Sequence, residues 1–158
     1  MSEPHDMPAD YDRLLKAFAA GSTVAEMRNI LPEELESVYS IAYTYYQTGR
    51  LEDAEKLFRF LCLFDHTVSK YWLALGAVLQ AERKFKDAIR PYACTLMFDR
   101  KEVRAAFHLA ECQLAIGEHG EAIAALDILD GIADAKTERG RDYLARGRRL
   151  REQCKLRK

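Results

Sequence analysis

Displaced by 34 residues, the chain falls into register with itself, and that period limits the folds open to it. Ile41, Leu75 and Leu109 share one column, and Ala42, Gly76 and Ala110 share the next. Ala54, Ala88 and Ala122 form a third small column, followed by the large column Phe58, Tyr92 and Leu126. Gly49 and Gly117 align with Arg83 between them, and Asp65 aligns with Asp99. The units read 35–68, 69–102 and 103–136. Each carries two stripes at helical spacing. In the first unit Val38, Ile41, Ala42 and Tyr45 make one buried stripe, and Leu51, Ala54, Leu57, Phe58 and Leu61 make the other. Gly49 separates them, because glycine takes the left-handed conformation that ends a helix at little cost. The small columns let the two helices of a hairpin approach to about 8 Å.

This period and pattern resemble the tetratricopeptide repeat. The fold expected is all-α: three tetratricopeptide repeats forming a curved helical solenoid with N-terminal and C-terminal capping helices. Arg83 departs from the pattern in place of the turn glycine, as do His66 and Arg100 where the repeat usually has proline. Residues 1–34 read as the N-terminal cap. Tyr11, Leu14, Leu15 and Phe18 pattern one helix ended by Gly21, Thr23 and Glu26 form a capping box for a short second helix, and Pro32 opens the next. Residues 137–158 read as a C-terminal capping helix with a basic outer face, since a solenoid needs polar ends.

Composition narrows the function classes. A chain of 158 residues with 49% apolar content and a net charge of −1 suits one soluble domain and lies far from the disordered regime. No apolar run reaches the ~18 residues of a membrane span, and the acidic start is unlike a secretory signal. The four cysteines form no CxxC pair, which points to a reducing cytoplasm. Charge is polarised: 11 acids and 4 bases in residues 1–55, against 3 acids and 10 bases in 136–158. A basic tail invites a nucleic-acid reading. However, its cations are spaced as the solvated side of a helix around Tyr143, Leu144 and Leu150, and no groove-reading motif accompanies them.

In stacked hairpins the first helices line the concave side. The inward positions are then Tyr39, Ser40, Tyr43, Tyr46 and Gln47 in unit one. Unit two contributes Lys70, Leu73, Ala74, Ala77 and Gln80, and unit three Arg104, Phe107, His108, Glu111 and Leu114. Tyr39, Tyr43 and Tyr46 share one helical face beside a stripe already filled by Val38, Ile41, Ala42 and Tyr45. Ordinary repeat packing would also account for them. A tyrosine's apolar body and polar tip nonetheless suit a wet, apolar-walled groove for an extended, uncharged, proline-bearing segment. A clamp for an acidic tail would need converging Lys, Arg and Asn, and Asn is missing from all three inner faces.

The stretch from Leu35 to His66, with Tyr39, Tyr43, Tyr46, Gly49, Ala54 and Phe58, resembles the first repeat of the class II chaperones of bacterial type III secretion, which guard translocator proteins. Leu73 to Gly76 and Phe107 to Cys112 resemble the later repeats. The resemblance implies a cytoplasmic chaperone that takes an N-terminal PxLxxP-like segment of hydrophobic translocators in its concave groove, keeping them soluble before secretion. It places the peptide-binding positions on Tyr39, Tyr43, Tyr46, Leu73, Ala77, Phe107 and His108, with Glu111 beside them on the inner face. It also implies a homodimer through the first repeat, with Phe60 and Phe64 at the contact, and for some members a transcription regulator as a further partner. The reading from another class is a general repeat adaptor in a bacterial protein complex.

No phosphate loop, nucleophile elbow or paired-acid site marks an enzyme, and no cofactor is expected. His108, Glu111 and Cys112 lie within one turn, but Cys112 should face the hairpin core, so no metal site is expected. Cys62 and Cys94 read as buried small apolar groups, and His66 and His119 as turn residues.

Overall fold

The computed structural model describes residues 16, 17 and 19–156. The expected helix through Tyr11, Leu14, Leu15 and Phe18 lies outside them. The described residues form helices and no strand: α1 (Val24–Arg28), α2 (Pro32–Gln47), α3 (Leu51–Phe64), α4 (Ser69–Ala81), α5 (Phe85–Phe98), α6 (Val103–Ala115), α7 (His119–Ile132) and α8 (Glu138–Leu156). No helix among them is long and apolar enough to cross a membrane.

Local chemistry sets the helix ends. Thr23 and Glu26 exchange backbone and side-chain hydrogen bonds at 3.2 and 3.0 Å, the capping box expected for α1. Pro32 opens α2, where its missing N–H costs nothing. Three turns then repeat one backbone solution. Gly49, Arg83 and Gly117 all adopt positive φ, at +77°, +62° and +84°. Arg83 holds the glycine's conformation with a Cβ attached, which costs roughly 1–2 kcal/mol.

Packing follows the repeat. The pairs α2–α3, α4–α5 and α6–α7 are hairpins, and α3–α4 and α5–α6 join them in series. Ala42, Ala54, Ala88, Ala110 and Ala122 are fully buried, with Phe58, Tyr92 and Leu126 beside them. Gly76 shows why one position must be bare. A Cβ there would lie 2.7 Å from the Tyr92 ring. The helix α8 then packs on α7 and α6, with Gly147 lying against Leu129. Leu150 and Cys154 complete the seal.

One column breaks at its edge. Leu75 and Leu109 are buried, but Ile41 is 50% exposed and not part of the core stripe expected of it. Its equivalents lie on helices that follow a hairpin, and among the described residues no hairpin precedes α2. Cys94 is likewise half-buried, whereas Cys62 is buried and its thiol is pushed up to about 12 by that burial.

Two substitutions test this packing. Arg83→Gly relieves the left-handed backbone against the entropy glycine gains when unfolded, a net gain of about 0.5–1 kcal/mol and a Tm rise of about 2–4 °C. Gly76→Val forces its side chain onto Tyr92 and is expected to cost about 2–3 kcal/mol in urea unfolding.

Candidate functional site

The inner faces of the first helices enclose a trough of about 240 Å³. Helix α2 supplies Tyr39, Tyr43 and Tyr46, α4 supplies Lys70, Leu73, Ala74 and Ala77, and α6 supplies Arg104 and His108. This volume falls below the roughly 300–1,000 Å³ of pockets that enclose a small molecule.

The tyrosines differ in how much of each is committed to the fold. Tyr39 lies against Phe58 and Tyr71, with ring centroids 5.6 and 5.8 Å away. Burial lifts its phenol above the ordinary 10.0, although the Lys70 charge opposes the shift. Tyr43 stacks on Tyr39 at 6.3 Å but is 45% exposed. It is the freest aromatic surface of the trough. On α4, Ala74 and Ala77 leave the floor open, and Leu73 gives it an apolar surface.

Two cations stand at the mouth, each paired within the chain. Lys70 bonds Glu36 and lies 4.8 Å above the Tyr39 ring. Arg104 bonds Glu102 at 2.6 Å. With their charges answered, neither is poised to clamp a carboxylate.

The second helices also reach the trough, which the inner-face reading missed. Phe58 and Tyr92 form part of its lining. The clue was the pairing of Gly76, the smallest residue of its column, with Tyr92 in the large column. Through that gap the buried Tyr92 hydroxyl donates to Gln80 Oε1 at 2.7 Å. Gln80 Nε2 donates to Glu111 Oε2 at 3.0 Å, and His108 Nδ1 meets the same oxygen at 2.7 Å. His108 stacks on Tyr92 at 5.7 Å, so the chain of polar contacts fixes one wall. Glu111 stands behind His108 and does not line the pocket.

Phe107 departs from its expected groove position. It is 3% exposed, with the Arg146 guanidinium 4.2 Å above its ring and Tyr143 against its edge at 5.5 Å. The last hairpin has no successor, and α8 lies where one would be, so Phe107 becomes cap packing. Cys112 is fully buried, as expected, and its thiol is pushed up to about 12 by burial. Among the described residues no group of His, Cys, Asp and Glu could hold a metal ion.

Burial works to raise the Glu111 carboxyl, but bonds from His108 and Gln80 outweigh it and hold the group below its ordinary 4.5. A carboxylate lowered on folding stabilises the native state above that ordinary value, and the contribution fades as pH falls below it. Stability measured by urea unfolding from pH 7 to pH ~3 should therefore fall more steeply in the wild type than in Glu111→Gln.

Comparison with known proteins agrees with this geometry. The tetratricopeptide repeat family model matches residues 35–67. The low calcium response locus protein H of Yersinia pestis is 39% identical over 130 residues, covering 82% of this chain and 77% of the relative. A type III secretion complex from Aeromonas hydrophila superposes with a TM-score of 0.85 at 30% identity, covering 92% and 96% of the two chains. The Yersinia enterocolitica type III secretion chaperone SycD, solved with a peptide of the translocator YopD, superposes at 0.74 with 38% identity, covering 80% and 96%. SycD has also been solved as a dimer. With a repeat array, an open inner trough and these similarities in place, the chain belongs to the tetratricopeptide-repeat family of type III secretion translocator chaperones.

Proposed function

We propose that the protein is a cytoplasmic, non-enzymatic chaperone of type III secretion that holds hydrophobic translocators soluble and secretion-competent. It does so by binding an extended N-terminal segment of the client in the concave trough. The observation that carries this reading is the trough itself: an exposed Tyr43 between half-buried Tyr39 and Tyr46, above a floor of Leu73, Ala74 and Ala77, with its cations already paired. The SycD complex with a translocator peptide supports it. Tyr39, Tyr43, Tyr46, Leu73, Ala77 and His108 touch the client in this reading, while Glu111 orients His108. Phe107 contributes through the packing of α6 under α8. Three or four apolar anchors at about 1.5–3 kcal/mol each, less the cost of association, give roughly micromolar affinity per segment.

A homodimer through the first repeat completes the proposal. Phe60 and Phe64 stack at 4.1 Å on α3, and Phe60 keeps much of its ring exposed. The dimer form of SycD supports a homodimer.

Tyr43→Ala is the sharpest test, because that ring is the least committed to the core. Its affinity for a translocator N-terminal peptide, measured by calorimetry, should drop about tenfold or more while the helical circular dichroism stays unchanged. Equal loss of folding and binding would make the ring structural and end the reading. Phe64→Glu should move the sedimentation profile from dimer to monomer, and an unchanged profile would remove Phe64 from the contact.

A further inference from the structure

A larger hollow among the described residues lies away from the trough. It is an open groove of about 760 Å³ between α3 and α5, which make little contact with each other. Cys62, Leu63, Trp72, Leu75 and Pro91 give it an apolar lining. Leu63 is 66% exposed, an unusual outlay of apolar surface for a helix end. Along the rim stand Arg59, Lys86 and Arg90 against a single acid, Asp87. Arg59 bonds Glu55 at 2.6 Å, whereas Lys86 and Arg90, one helical turn apart on α5, make no ion pair among the described residues.

We propose that this groove docks an amphipathic helix of a partner protein, with its apolar face on Leu63, Trp72 and Pro91 and flanking acidic side chains on Lys86 and Arg90. Charge complementarity selects the acidic flank. The lining selects a helix over an extended strand. A strand brings unpaired backbone N–H and C=O groups that the walls must satisfy. The Trp72 indole N–H is already spent on the His66 carbonyl at 2.7 Å, which leaves the His66 imidazole and the weakly donating Cys62 thiol as the neutral polar groups of the lining, too few for a strand's backbone. A helix satisfies its own backbone and presents only side chains. The lining spans Arg59 to Leu63 on α3 and Lys86 to Pro91 on α5, so each wall offers roughly one and a half turns to a docked helix. This proposal is independent of what the concave trough binds.

Trp72 is the chain's only tryptophan, so the groove carries its own reporter. The full-length protein is titrated with a synthetic, tryptophan-free amphipathic helix of about 18 residues built from Leu, Ala and Glu, longer than the ~12–15 below which isolated helices are marginal. A matched peptide with Lys for Glu is titrated in parallel. The expected result is a saturable change in Trp72 emission with the Glu peptide alone, weakened by salt. Affinity should fall about tenfold or more in Lys86→Glu/Arg90→Glu, where like charges would meet. Leu63→Asp should weaken binding independently, and binding of a translocator N-terminal peptide should be unaltered in Lys86→Glu/Arg90→Glu. Equal binding of the Lys peptide, or no saturable change with either, overturns the proposal. Trp72 emission that changes on dilution of the Phe64→Glu protein alone, in which the first-repeat contact is already broken, overturns it too, in favour of a second copy.

Discussion

Close approach of paired helices at bare positions is the interaction on which the rest of this structure depends. Buried alanines at 42, 54, 88, 110 and 122 let each hairpin close, and at Gly76 even one methyl would strike the Tyr92 ring. The consequence reaches past packing. Because α4 is bare at that point, Tyr92 crosses from the second helix layer to the trough and places its hydroxyl on Gln80. The polar chain through Glu111 to His108 starts there, so the wall of the site is a product of hairpin closure.

The repeat was legible because its columns have one physical cause repeated three times. The small residues, the large residues facing them and the left-handed turns recur in every hairpin, because they serve the closure of the hairpin itself. Arg83 shows how strongly that context acts, since the turn keeps its left-handed backbone even without glycine. Column reasoning fails at the two ends. Ile41 shares a column with Leu75 and Leu109, but among the described residues no hairpin precedes its helix. Phe107 reads as an inner-face residue, yet α8 lies over it with Tyr143 and Arg146. In both cases the side chain obeys its neighbours, which a periodic pattern assumes to be present.

The site was partly legible for a related reason. Helical spacing alone places Tyr39, Tyr43 and Tyr46 on one face, and all three line the trough. Spacing could not rank them, because their differences arise across helices: Tyr39 leans on Phe58 and Tyr71, while Tyr43 meets only its own helix's rings among the aromatic contacts. Nor could it reveal that Lys70 and Arg104 are neutralised by Glu36 and Glu102, since one of those pairs joins residues a full repeat apart.

That neutralisation bears on how such a chaperone works. An unpaired cation at the mouth would favour any acidic segment and strengthen binding through charge. With both cations answered, affinity rests on apolar anchors, which favours clients that are oily and unfolded. Mass action then sets the outcome: a segment bound at roughly micromolar strength is protected whenever chaperone exceeds that concentration, and is released once the client is drawn away. A much deeper pocket would protect better but would hold the client against export. The shallow trough, floored by alanines and walled by half-committed tyrosines, suits a partner that must let go.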